Sequence, residues 1–167
     1  PFYHLLEARI IMYDILLSTH SITRWLVLIL GLVALASNFS GWFATKTWTP
    51  KNRKINGAFL GTVHLQVVLG LILYAGQISP TMNRIFANFG GAMKDASLRF
   101  WAVEHIALML LAAIVAHVAH VVSKNQEADR KRFQYAALGF MLSLTMIVAA
   151  IPWPFREQVG RALFPGL

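Results

Sequence analysis

The chain has no cysteine and few acids. The first absence excludes disulfides, iron–sulfur clusters, thiolate metal sites and covalent haem attachment through a CxxCH motif, so any cofactor would hang on nitrogen or oxygen ligands. Aspartate and glutamate number 7 against 15 lysines and arginines, and no paired carboxylates fall inside an apolar stretch. A Gly-rich phosphate loop, an HExxH motif and a serine elbow are also missing, which leaves hydrolase and nucleotide-dependent chemistry without support. Charged residues make up only 13% of the 167, and 57% are hydrophobic. A water-soluble domain of that size needs far more polar surface, so the apolar side chains are expected to face lipid. The composition predicts an all-α integral membrane protein, a single small bundle over 1–167 with no catalytic domain outside it.

A spanning helix needs about 20 mostly apolar residues. The chain offers four such stretches, at about 15–43, 55–78, 98–122 and 133–151. Together they predict a four-helix bundle with up-down topology. A short interfacial segment, 1–14, with Phe2, Leu5, Leu6 and Arg9 on one side, precedes the first span, and no signal peptide is recognisable there. Ser37, Asn38, Ser40 and Gly41 read as the place where the first helix leaves the hydrocarbon, with Trp42 and Trp48 as interfacial anchors. The net charge of +8 bears first on orientation. Lys46, Lys51, Arg53 and Lys54 follow the first span, and Lys124, Arg130, Lys131 and Arg132 follow the third. By the positive-inside rule both connections belong in the cytoplasm, which puts the N-terminus, the 79–97 connection and the tail 152–167 outside. The setting implied is a bacterial inner membrane. The basic connections read as topology signals and anionic-lipid contacts, not as nucleic-acid surfaces. Asn88 to Gly91 is the clearest turn signal, and Ile151-Pro152-Trp153-Pro154 stops the last helix.

Histidines are the chemistry-bearing residues. An ionisable group in hydrocarbon is costly and asks for a partner, a proton or a metal. At about 100° per residue, Gly57, Gly61 and His64 share a face of the second helix, a small-xxx-small pattern that predicts His64 facing protein. On the third helix His105, Ala112, Ala116 and His120 fall within about a quarter to a third of the circumference, and the small side chains between the histidines leave room for a planar ligand or for a closely packed neighbour. His20 and His105 fall in the outer half of the membrane, His64 and His117 in the inner half. His105 and His117 or His120 are separated by about 18 to 22 Å along the helix, the order expected for two stacked tetrapyrroles. Each depth-matched pair is a candidate set of axial ligands to haem iron, with Arg24 and Arg99 as partners for propionates. The bland alternatives are structural: Glu104 as an ion-pair partner of Arg24 or Arg99, His64 against His117 as a packing contact, and His120 solvated near Lys124. Gln66, Tyr74 and Gln77 are the ordinary polar complement of a bundle interior. The fourth span, with only Ser143 and Thr145, reads as packing.

Several strings are specific: His20-Ser21-Ile22-Thr23-Arg24-Trp25, His64-Leu65-Gln66, Gly91 to Phe100 running into Val103-Glu104-His105, and Ile151-Pro152-Trp153-Pro154. In them the chain, from Met12 to about Phe155, resembles a family of short four-helix bacterial membrane proteins, common in Bacteroidetes-like genomes and loosely labelled cytochrome b-like. The resemblance covers His20, Arg24, Glu104, His105 and His64, and does not extend to His117 or His120.

Two functions are expected from this pattern. One is electron transfer by a small b-type cytochrome-like subunit carrying one or two haem b groups, within a larger respiratory or photosynthetic membrane complex. Chlorophyll is an alternative occupant, and a quinone near His20, Arg24 and Trp25 is conceivable. The other is a non-catalytic accessory subunit with no cofactor, whose Ser79 to Ser97 connection and Pro/Trp/Phe-rich tail dock against partners. A proton or metal-ion path through His20, His64 and His105 has less support because acids are scarce in the spans. None of these readings gives the chain catalytic activity of its own.

Overall fold

The computed structural model describes residues 2–76 and 78–165, so Gln77 and the side chains of Phe2, Leu5 and Leu6 lie outside the described residues. All regular structure among them is helical. The helices are α1 (Phe2–Phe43), α2 (Pro50–Ala75), α3 (Pro80–Ala87), α4 (Phe89–Ala92), α5 (Ala96–Arg99), a π-helical turn (Phe100–Glu104), α6 (His105–Lys124) and α7 (Asp129–Ala150). Four stretches are long and apolar enough to cross a membrane: Glu7–Phe43, Pro50–Ala75, Ala96–Lys124 and Asp129–Ala150. In space α1 packs on α2 and α7, and α6 packs on α7 and, more loosely, on α2.

No proline or glycine interrupts 2–30, so the expected interfacial segment and the first span form one continuous helix over the described residues, and α1 runs for 42 residues. At about 1.5 Å per residue that is roughly twice a hydrocarbon core of about 30 Å, and the helix projects beyond the rest of the bundle.

Near the end of α1, Asn38 is satisfied inside the protein. It is fully buried, and its amide faces that of Asn56 on α2, donating to the Asn56 carbonyl at 2.8 Å and accepting in return at 3.3 Å. Each amide satisfies the other, which removes a desolvation cost of about 1–3 kcal/mol per group. The reciprocal bond also ties α1 to α2.

On α2 the buried stripe is Asn56, Phe59, Leu60 and Val63, one residue out of register with the expected Gly57–Gly61–His64 face. A helix turns about 100° per residue, so that single step carries His64 to the outside. Gly57 and Gly61 have open space where a side chain would stand, and His64 is exposed. The reason is volume: Phe59 packs edge-on against Phe140 at a centroid distance of 5.0 Å. Burying that ring stabilises more than burying two glycines.

Close approach is instead used between α6 and α7. A Cβ on Gly139 would lie 2.2 Å from that of Ala119, and Ser143 donates to the Ala112 carbonyl at 2.8 Å. The alanine face of α6, with Ala112, Ala116 and Ala119 buried, is therefore a seat for α7. Packing is also the role expected for the fourth span.

The 79–97 connection is more ordered than its turn signals imply. Ser79 caps α3, Asn88 accepts from Gly91 N–H at 2.9 Å, and Asp95 accepts from Leu98 N–H at 2.9 Å. These short helices close a small cluster of Met82, Ile85, Ala92 and Ala102, anchored to α2 by the Tyr74 hydroxyl, which donates to the Ala102 carbonyl at 2.9 Å.

Candidate functional site

A cleft opens at the end of the bundle where α1, α2 and the start of α6 meet the tail. It encloses about 140 Å³ of free volume, and its walls are mostly apolar. Both His20 and His105 line it, with Arg24, Gln66, Gly70 and Arg161. An apolar pocket with a few convergent polar groups is the usual form of small-molecule and cofactor sites.

The position of His105 follows from two prolines. In a continuing helix the carbonyl of Ala150 would accept from residue 154 and that of Val148 from residue 152. Both positions are proline, which has no N–H to give. The two orphaned carbonyls find side-chain donors: His105 Nδ1 lies 2.9 Å from the Ala150 oxygen, and the Trp153 indole donates to Val148 at 2.9 Å. A carbonyl only accepts, so Nδ1 of His105 carries the proton and Nε2 keeps its lone pair. A backbone carbonyl on the far nitrogen is the support that iron- and zinc-ligating histidines usually have. The π-helical turn at 100–104 immediately precedes His105. Such turns shift the register of the side chains that follow and occur often at functional sites.

His20 is held differently. Its backbone carbonyl accepts from the Gln66 amide at 2.8 Å, and the Thr23 hydroxyl donates to Gln66. The ring lies over Gly70, where a Cβ would stand 3.2 Å from Cε1. Among the described residues, the buried side-chain nitrogens and oxygens without a hydrogen-bond partner are His20 Nδ1, Arg24 Nε and Trp25 Nε1. All three fall within six consecutive residues of α1, and His20 and Arg24 line the cleft. Leaving a buried polar atom unpaired costs about 1–3 kcal/mol, and such a cluster calls for an explanation.

The tail completes the site. Arg24, buried, donates to the Leu163 carbonyl, and Trp25 packs on Trp153 and Phe164 at centroid distances of 6.3 and 5.9 Å. Arg161 sits 4.2 Å over the Trp101 ring, and its N–H donates to the Pro152 carbonyl at 3.0 Å. Arg99 stands elsewhere. It is half-exposed and bonded to Glu104 at 2.8 Å, the structural ion pair that the sequence offered as the bland reading. The second cation lining the cleft is Arg161, which sequence reasoning missed because its long tail position has no helical periodicity to place it.

His64 and His117 do meet, with ring centroids 5.5 Å apart and planes tilted by 30°. Both are exposed on the α2–α6 seam, and neither lines the cleft. His120 lies further along α6, half-buried and outside both pairs.

The residues of the cleft fit a haem. Two imidazoles from separate helices line one apolar space, one has its far nitrogen carbonyl-bound, the other has a buried unpaired nitrogen, and two arginines stand beside them. The inner pair, with ring centroids 5.5 Å apart, is exposed and has no enclosing walls among the described residues of this chain. No third His, Asp or Glu joins either pair to form a metal-binding group among the described residues. Comparison with family models, with curated proteins and with solved structures finds no match to this chain.

Proposed function

We propose that the chain is a membrane-embedded electron-transfer subunit that holds one b-type haem between His20 and His105. The observation that carries this reading is the convergence on one cleft of two imidazoles and of two buried nitrogens without a hydrogen-bond partner, His20 Nδ1 and Arg24 Nε. When bound, the haem would supply a one-electron redox couple. The chain's own part is to hold and insulate. His105 is oriented by the Ala150 carbonyl and His20 by packing on Gly70, while Val63, Val67, Met109 and Ile147 exclude water. Arg24 and Arg161 offer charge-assisted bonds to carboxylates at the cleft mouth. Positive charge there also favours the reduced side of a redox couple by opposing charge build-up less on the anionic form. The up-down arrangement, with the cleft end and both termini outside and the basic connections in the bacterial cytoplasm, belongs to the same proposal and follows from the positive-inside rule.

The test is a dithionite-minus-oxidised spectrum of the purified chain with a pyridine haemochrome assay. A b-type band is expected, and a chain that purifies folded from haem-replete cells without one ends the proposal.

A second reading has its own observation. His64 and His117 sit exposed among apolar side chains such as Leu65, Ile114 and Val118, beside the open Gly57–Gly61 face. Polar groups on such a surface are normally covered by protein. This favours a subunit that docks into a larger membrane complex, compatible with the haem reading or standing alone as an accessory role. Native gel analysis of mild-detergent extracts would show the chain migrating in a larger assembly, and migration as a free monomer would contradict it.

A further inference from the structure

The opposite end of the bundle carries a cavity of about 470 Å³, lined by Trp48, Thr49, Pro50, Arg53, Lys124, Asn125 and Arg132. It lies where the start of α2 faces the α6–α7 connection. Three cations line it. The acid nearest them, Asp129, is already engaged by Trp48 N–H at 2.9 Å and by Arg132 at 3.1 Å. Arg132 is further fixed by donating to the Gln126 carbonyl at 2.6 Å. Arg53 and Lys124 are exposed and form no ion pair among the described residues. The site therefore holds positive charge that the protein does not compensate, and the positive end of the α2 dipole adds to it.

Its surroundings distinguish between anions. At the same end α1 finishes in a stack of Phe39, Trp42 and Phe43, with Trp42 and Phe43 centroids 5.0 Å apart and Phe43 exposed. Aromatic rings of this kind gather where headgroups meet acyl chains. A basic pocket between spanning helices at that level matches the phosphate of a lipid headgroup while its acyl chains run along the helices.

We propose that this cavity binds the phosphate of an anionic phospholipid, with Arg53 and Lys124 supplying the contacting charge and Arg132 held in place by Asp129. The inference is independent of the haem reading. It is tested by native mass spectrometry of the full chain in detergent, titrated with phosphatidylglycerol or phosphatidylcholine. Phosphatidylglycerol should be retained preferentially, and Arg53→Gln with Lys124→Gln should weaken its binding by roughly 10- to 30-fold, two cations' worth. Helicity by circular dichroism checks the fold, and Lys124→Gln alone gives a smaller loss if the pair unfolds. Arg130→Gln with Lys131→Gln, which lie outside the cavity, should change little. Equal binding of the two lipids, or an unchanged affinity in the folded Arg53/Lys124 variant, would overturn the proposal. Displacement of the lipid by millimolar inorganic phosphate would overturn the lipid assignment in favour of a free-anion site.

Discussion

The two histidine pairs differ in what surrounds them. His20 and His105 line an apolar cleft, one ring seated on Gly70 and the other bound to a carbonyl that a proline set free. His64 and His117 touch each other on an open surface. Equal depth along the helices, the criterion legible from the sequence, is satisfied by both. Enclosure separates them: a ligand site needs walls and oriented donors, and the inner pair has neither within this chain.

The largest effect that would break or support this contrast is loss of haem. His20→Ala and His105→Ala should each abolish the reduced-minus-oxidised band, while His64→Ala and His117→Ala leave it in place. Loss of the band in all four variants would make the pairs equivalent and the contrast wrong. Pro152→Ala together with Pro154→Ala sharpens it further. Restoring a donor to the Ala150 carbonyl takes both substitutions, which let α7 extend, compete with His105 Nδ1, and should weaken haem binding by roughly 10-fold, the lower end for disturbing an outer-shell partner, read by haem titration. Arg161→Gln should also weaken it, and Arg99→Gln should not, because Arg99 is spent on Glu104.

Away from both pairs, Asn38→Ala should destabilise by about 1–3 kcal/mol by leaving Asn56 unpaired in the interior. Replacing both asparagines with leucine should cost less than the single change, and thermal unfolding in detergent would measure the difference. The smallest effect is expected at the open face. Gly57→Ala and Gly61→Ala should each stabilise the isolated chain by about 0.5–1 kcal/mol or less, since alanine is the better helix former and nothing stands where their Cβ atoms go, whereas Gly139→Val should disrupt the α6–α7 contact outright. A large loss at Gly57 or Gly61 would show that the face is packed within the chain.

The number of spans and their rough extents were legible because apolar length and composition carry them. His20 and His105, expected at one level, line one cleft. What could not be read is register around the helix axis. A shift of one residue on α2 exchanges Gly57, Gly61 and His64 for Asn56, Leu60 and Val63, and both sets show the same spacing, so periodicity alone cannot choose between them. The burial of Asn38 could not be read because its partner, Asn56, lies on another helix. Arg161 has no periodicity to place it. One signal for the site was present and readable: Pro152 and Pro154 remove the donors that Val148 and Ala150 would have used, and a buried carbonyl without a donor draws one from elsewhere.

The most direct test of the central claim is the haem-to-protein ratio of the purified full-length chain, by pyridine haemochrome against amino-acid analysis. The account predicts a ratio near one, held by His20 and His105. A ratio near two would restore the inner pair as a second site, and a ratio near zero in a folded, haem-replete preparation would leave the cleft without its proposed occupant.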